Sequence, residues 1–388
     1  MHSNANKKIL KKANEDFKLD SAKDHFKKID GSHQVVIDNG ILLSRAIEVT
    51  GKVFTNTFNE ARKNPDKNRY PNCPPADDTL IPIPGVSYFN GSCIGGKVHD
   101  TVFIGWENSD IIVCQGTQTN TIGDFLRVLK STGAGVVVSL VNGIENGCIK
   151  FTEFYDDKKE VCFTSGRSRY FVKVIEYKKE GNFIFRKLRI VKNPFRELEC
   201  ATNDEEIKES VQGESVSDCE ESVQGLPVSD CEESNTDKQS SGEFVLPKFS
   251  RTAEEIPFVE GDDEMNVEWD VVQIQYIGWP DHGCPANVEE MFEIRKLMIA
   301  NTVPGKPNIV HCSAGIGRSG TFVLIHKLLQ QFESYISGMV AILDDFNLNE
   351  MIDNNFRILR VYRDGSIQTP VQYEFVHEAI QSELNKIA

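Results

Sequence analysis

Ile9, Ala13 and Phe17, then Ala22, Phe26 and Ile29, recur at three- and four-residue intervals with lysines between them. That spacing predicts two short helices packed on a core. The acids Glu15, Asp16, Asp20 and Asp24 in the same stretch argue against the alternative, a basic helix lying on a membrane. A second apolar series from Ile41 to Phe58 also reads as helical. Apolar runs rich in β-branched residues predict strands around Val102-Phe103-Ile104, Ile111-Ile112-Val113, Val136-Val137-Val138-Ser139-Leu140, Phe183 to Ile190 and Val271 to Tyr276. Pro307-Asn308-Ile309-Val310 reads as a short buried strand, and Thr321 to Leu329 as the start of an apolar helix. The chain ends in further helical pattern.

Between the predicted strand at Phe183–Ile190 and the one leading to Trp279 the pattern breaks down. Residues 197–243 carry fifteen Asp or Glu and two Lys, so most of the net charge of −15 resides there. The segment holds a tandem repeat. Glu209-Ser210-Val211-Gln212-Gly213 opens one twelve-residue unit, and Glu221-Ser222-Val223-Gln224-Gly225 opens its near-copy. Two Ser/Glu/Gly-rich units bury too little apolar surface to offset chain entropy and are too few for a solenoid. The expectation is a disordered insert within a hairpin connection, tolerable because closure entropy grows slowly with loop length.

No apolar run approaches the roughly 18 residues of a membrane span. The start, Met1-His2-Ser3-Asn4, lacks a signal-peptide core. Ten cysteines occur without a Cys-x-x-Cys pair or disulfide-like spacing, which suits a reducing compartment.

Candidate chemistry concentrates in His311-Cys312-Ser313-Ala314-Gly315-Ile316-Gly317-Arg318-Ser319-Gly320. A strand, a Gly-rich loop and a helix N-terminus together make an anion site, because unpaired backbone N–H groups converge there and the helix dipole adds positive potential. A cysteine at the base of that cradle meets the same field, which favours its thiolate. Arg318 offers a bidentate fork for two phosphate oxygens. Ser319 is placed to hydrogen-bond the sulfur and ease its departure.

This string resembles the signature loop of the Cys-dependent protein tyrosine phosphatases, and other motifs extend the likeness in the family's order from about residue 30 onward. Trp279-Pro280-Asp281-His282-Gly283 resembles the family's acid loop, which implies Asp281 as the general acid and Trp279 as its support. Asn68-Arg69-Tyr70 resembles the phosphotyrosine-recognition loop, with Tyr70 walling a pocket too deep for phosphoserine to reach Cys312. Gln368-Thr369-Pro370-Val371-Gln372-Tyr373 resembles the loop that positions the hydrolytic water, Gln368 first and Gln372 in support. Glu145 to Lys150 fits a loop whose Glu orients the catalytic Arg and whose Lys reaches toward the acid loop. Tyr88-Phe89-Asn90-Gly91-Ser92 and Cys114-Gln115-Gly116-Thr117-Gln118 match weaker packing motifs. Arg357, Arg360 and Arg363 recur every three residues, either as a solvated basic face or as a positive field beneath the phosphate site. Departures exist. Leu126 and Leu129 stand where a Trp is usual nearby, and Pro71-Asn72 replace the acidic residue that grips substrate backbone.

The resemblance implies an α/β fold: one domain with a strongly twisted mixed sheet flanked by helices, and the Cys loop between a strand and a helix N-terminus. The expected organisation is a helical extension over 1–30, a catalytic domain over 31–388 and the acidic insert over 197–250. It implies hydrolysis of phosphotyrosine in proteins through a cysteinyl-phosphate. Cys312 is the nucleophile, Asp281 the acid and base, and Arg318 the phosphate clamp. Ser319 and Gln368 serve turnover, while Ser313, Ala314, Gly315, Ile316 and Gly317 cradle the phosphate and His311 tunes the loop from below. Alternatives are a phosphotyrosine-binding module, a phosphoinositide phosphatase, and a zinc site of His282, Cys284, His311 and Cys312. No cofactor or metal is implied. The expected partners are phosphotyrosine proteins and an acid-directed Ser kinase acting at Ser217 and Ser229 in the insert. The chain is expected to be a cytoplasmic monomer with no nucleic-acid partner.

Overall fold

The apolar helical spacing at the N-terminus forms α1 (Ser3–Glu15) and α2 (Ala22–Gly31), with Leu10, Ala13, Phe26 and Ile29 turned inward. The protein is described here by a computed structural model covering residues 3–17, 19, 22–38, 41–194, 266–342 and 345–386. A three-stranded sheet follows, made of β1 (Gln34–Asp38), β2 (Ile41–Val49) and β3 (Lys52–Thr57), and then the short α3 (Asn59–Lys63).

The series from Ile41 to Phe58 is therefore a hairpin and not a helix. Val49 pairs with Lys52 across the two-residue turn Thr50-Gly51, whose φ values are 47° and 80°. Two successive left-handed residues twist the chain in the sense that joins antiparallel strands and cannot continue a right-handed helix. Ile47 and Val49, two apart, are both buried, as strand alternation requires.

Next come β4 (Gly91–Ile94), β5 (Lys97–Val98), β6 (Thr101–Val102), β7 (Ile111–Cys114), α4 (Ile122–Thr132), β8 (Val136–Ser139), β9 (Ile144–Glu145) and β10 (Cys148–Ile149). The strand expected at Val102–Ile104 stops at Val102, and Ile104 is exposed. The rest comprises β11 (Val161–Ser165), β12 (Ser168–Glu180), β13 (Phe183–Pro194), β14 (Val267–Tyr276), α5 (Val288–Asn301), β15 (Asn308–His311), α6 (Gly317–Ser337), α7 (Leu348–Tyr362) and α8 (Pro370–Asn385).

Eight strands form the central mixed sheet in the order β11-β12-β13-β14-β8-β15-β7-β4. Its four middle strands β14, β8, β15 and β7 run parallel, and the remaining pairings are antiparallel. Both faces are covered. Val136, Val138 and Val310 point into one apolar cluster shared with α6 and α8, whereas Val137 and Ile309 point into the other, shared with α4. Near-continuous apolar runs are what strands buried on both faces need. Leu126 and Leu129 belong to the α4 cluster. Parallel strands bring their C-terminal ends to one edge, where loops from several segments converge.

β13 and β14 pair from Phe183–Tyr276 to Lys192–Val267. The acidic repeat is thus spliced between adjacent strands, at the end of β14 away from the acid loop; the repeat itself lies outside the described residues. Arg360 and Arg363 do not form a solvated face, since they are 2 % and 0 % exposed. Among the described residues no helix is long and apolar enough to cross a membrane.

Candidate active site

Cys312 sits where β15 ends and α6 begins, and its side chain is buried at the floor of a cavity. The Gly315 N–H donates to Cys312 Sγ at 3.3 Å. Gly315 has φ 71°, and a Cβ there would lie 2.3 Å from the Cys114 carbonyl oxygen, so no other residue fits. No side chain caps the start of α6, which leaves its first N–H groups for a ligand. Beneath the loop, Arg363 donates to the carbonyls of Ala314 and Gly315 (both 3.1 Å) and to Asn90 Oδ1 (2.7 Å). Tying the carbonyls down on this side turns the N–H groups of the loop to the other. The threefold arginine spacing alone did not disclose that role.

Arg318 is 2 % exposed and makes a fork with Glu145, Nη1 to Oε1 at 2.7 Å and Nη2 to Oε2 at 2.6 Å. Burial opposes its charge, yet the Glu145 hydrogen bonds and the surrounding anions raise its pKa further, so it stays a cation. Arg318 Nη2 also donates to Asp281 Oδ1 (2.6 Å), and Lys150 Nζ donates to Asp281 Oδ2 (2.9 Å). Burial would lift the Asp281 carboxyl, but the Arg318 charge and these hydrogen bonds prevail and hold it at about 2. The acid loop is closed. Trp279 Nε1 donates to the Gly283 carbonyl (2.8 Å), and Thr369 Oγ1 donates to the His282 carbonyl (3.2 Å).

Tyr70 stands at the cavity wall, its hydroxyl 2.9 Å from Ser313 Oγ, which donates to the Lys150 carbonyl. Its neighbours serve as struts. Asn68 bonds the carbonyls of Ala61 and Asn64, and Arg69 bonds those of Ile149 and Thr117. Asn72, standing in for the usual acid, is exposed beside this wall. Gln368 and Gln372 line the same cavity; a Cβ on Gly317 would meet Gln368 Oε1 at 2.3 Å, and Gln372 Oε1 accepts from the Gln368 N–H at 2.9 Å.

His311 faces away from the cavity. Its Nδ1 lies 3.2 Å from the Cys312 carbonyl and so carries the proton, while Nε2 lies 2.6 Å from Ser139 Oγ. Burial lowers its pKa to about 4, leaving it neutral. With both nitrogens engaged it is no zinc ligand. Ser319 Oγ is fully buried and has no hydrogen-bond partner among the described residues. Cys73, three positions past Tyr70, also lines the cavity, and burial pushes its thiol up to about 12. The sequence offered no signal for it beyond its nearness to Tyr70.

The described family model "Protein-tyrosine phosphatase" matches residues 64–206 and 244–382. Tyrosine-protein phosphatase non-receptor type ptp-2 of Caenorhabditis elegans is 26 % identical over 344 residues, covering 82 % of this chain and 43 % of that protein. Human receptor-type tyrosine-protein phosphatase H is 24 % identical over 329 residues, 82 % of this chain and 21 % of its own length. The chain thus spans less than half of these relatives. A solved structure of PTPN18, concerned with HER2 tyrosine phosphorylation sites, superposes with a TM-score of 0.56 at 20 % identity, covering 85 % of this chain and 87 % of that one. PTPN18 in complex with HER2 phosphopeptides superposes with a TM-score of 0.54 at 20 % identity, over 83 % and 89 % of the two chains. Cradle, clamp, acid and family model agree, and the chain belongs to the protein-tyrosine phosphatase family.

Proposed function

We propose that this chain hydrolyses phosphotyrosine in proteins in two steps through a cysteinyl-phosphate. The observation that carries the reading is that Cys312 and Arg318 of the Cys loop, Asp281 and Gln368, from three separate segments, line one cavity walled by Tyr70. The phosphate seats on the loop amides and takes over the Arg318 nitrogen now bonded to Asp281. Two negative charges beside the carboxyl then oppose its ionisation and raise its pKa. Cys312 Sγ attacks phosphorus as the P–O bond to tyrosine breaks, and Asp281 gives its proton to the tyrosyl oxygen. In the second step a water held by Gln368 attacks, the S–P bond breaks and Asp281 takes the water's proton. The Ser319 hydroxyl, which has no other partner among the described residues, serves as donor to the departing sulfur. Arg318 and the amides carry the equatorial oxygens throughout.

Solved PTPN18 complexes with HER2 phosphopeptides support peptide substrates by analogy. A thiolate nucleophile suits a reducing, intracellular setting. The expected serine-kinase sites lie outside the described residues, and the buried Arg360 and Arg363 offer the insert no exposed anchor. Hydrolysis of phosphotyrosine and phosphoserine peptides, with chelator present, tests the reading. Wild type should cleave only the former, and Cys312→Ser should lose at least about a thousandfold in turnover with the fold intact. Binding of phosphotyrosine peptide without cleavage by wild type would instead mark a binding module.

A further inference from the structure

Ile367, immediately before Gln368, is a β-branched residue at φ 61°. That conformation is strained for such a side chain and persists only where its surroundings over-determine it. Two contacts do so. The Ile367 N–H donates to the Ile316 carbonyl in the Cys loop (3.0 Å), and its own carbonyl accepts from Arg360 Nη2 (3.0 Å). Arg360 Nε holds the adjacent Ser366 carbonyl, also at 3.0 Å. Arg360 is buried, with its guanidinium 4.5 Å from the Phe356 ring centroid. The carboxylate bonded to it is that of Asp30 in α2, Oδ1 to Nη1 at 2.5 Å, with His33 Nδ1 3.3 Å from the same nitrogen. Asp30 precedes the part of the chain that matches the family model, which starts at residue 64.

We propose that Asp30 is a positioning residue for the second chemical step. It fixes the Arg360 guanidinium, which holds the strained Ile367 turn, which aims Gln368 at the hydrolytic water. The inference rests on the two-step reading above. It predicts damage concentrated in breakdown of the cysteinyl-phosphate, since Glu145 holds Arg318 and Arg363 holds the Ala314 and Gly315 carbonyls, whereas this chain of contacts meets the Cys loop through the Ile316 carbonyl.

Rapid-mixing kinetics with p-nitrophenyl phosphate separate the steps, because this good leaving group makes the first one fast. In Asp30→Ala the first-turnover burst should keep its rate. Steady-state kcat should fall about five- to twentyfold with KM falling in parallel, as expected when a residue acts only after the first irreversible step. Acid quenching should trap more phosphorylated Cys312 than in wild type. Asp30→Asn, which keeps an oxygen acceptor, should recover most of kcat and covers the case of poor folding in the alanine variant. A loss of kcat/KM matching the loss of kcat, or an unchanged kcat in Asp30→Ala, overturns the proposal. Turnover surviving in Cys312→Ser would sink the two-step reading itself, a separate outcome.

Discussion

Asp281 is ionised beside Arg318 and Lys150, and the pH dependence of stability follows from the sign of its shift. Its carboxyl is held at about 2 against an ordinary 3.8, so it stabilises the fold at all pH values above about 4 and loses that contribution as pH falls toward 2. The shift corresponds to about 2 kcal/mol. Asp281→Asn should therefore be less stable than wild type at pH 6, with the gap narrowing below pH 4; a urea series across this range that showed a constant gap would refute the assignment. Residues of this kind were legible because motif spacing sets them: Cys312 and Arg318 share one loop, and Asp281 follows a strand and precedes a turn. Arg363 and Cys73 were less legible. Their positions beside the loop depend on burial by distant segments, and neither a threefold arginine spacing nor a lone cysteine encodes that.

At the scale of elements, local pattern and tertiary context part company at β2 and β3. Apolar residues there satisfy helical spacing as well as alternation, and the deciding signal is the Thr50-Gly51 pair. Thr50 adopts φ 47° at an exposed position, where a β-branched residue is strained and Asn is tolerated. Thr50→Asn should stabilise the protein by roughly 0.5–1 kcal/mol, visible as a rise in melting temperature. The strand before Cys312 and the long helix after it were legible because their type, length and apolar character agree. The N-terminal helices were legible too, but their contact with Arg360 was not, since Asp30 meets a partner 330 residues away.

For the whole molecule, the sheet order was the least legible feature. β8 and β7 flank β15 although both lie far earlier in the chain, and no local signal specifies such crossovers. The position of the insert between neighbouring strands was legible because the flanking runs were separately recognisable as strands. Its anchors lie at the far end of β14 from the acid loop, about 30 Å away for ten residues of strand. With Arg360 and Arg363 buried, an acidic tether has no basic face formed by them to occupy. Deleting residues 200–243 should leave phosphopeptide turnover and its salt dependence within about twofold of wild type, a surface-loop effect in scale. A deletion variant that is markedly faster at low salt only would show the insert acting as an electrostatic inhibitor.

The bond between Asp281 and Arg318 also makes the protein its own competitor. A tethered carboxylate occupies the clamp at a high effective concentration that does not vary with the medium. Free inorganic anions must displace it with only the cradle and the clamp in return. On the proposed reading, a phosphotyrosine adds an aromatic ring for the Tyr70 wall and a peptide for the rim, which offsets the exchange. The closed loop then sets a threshold that ambient phosphate and sulfate meet with fewer contacts than a phosphotyrosine peptide.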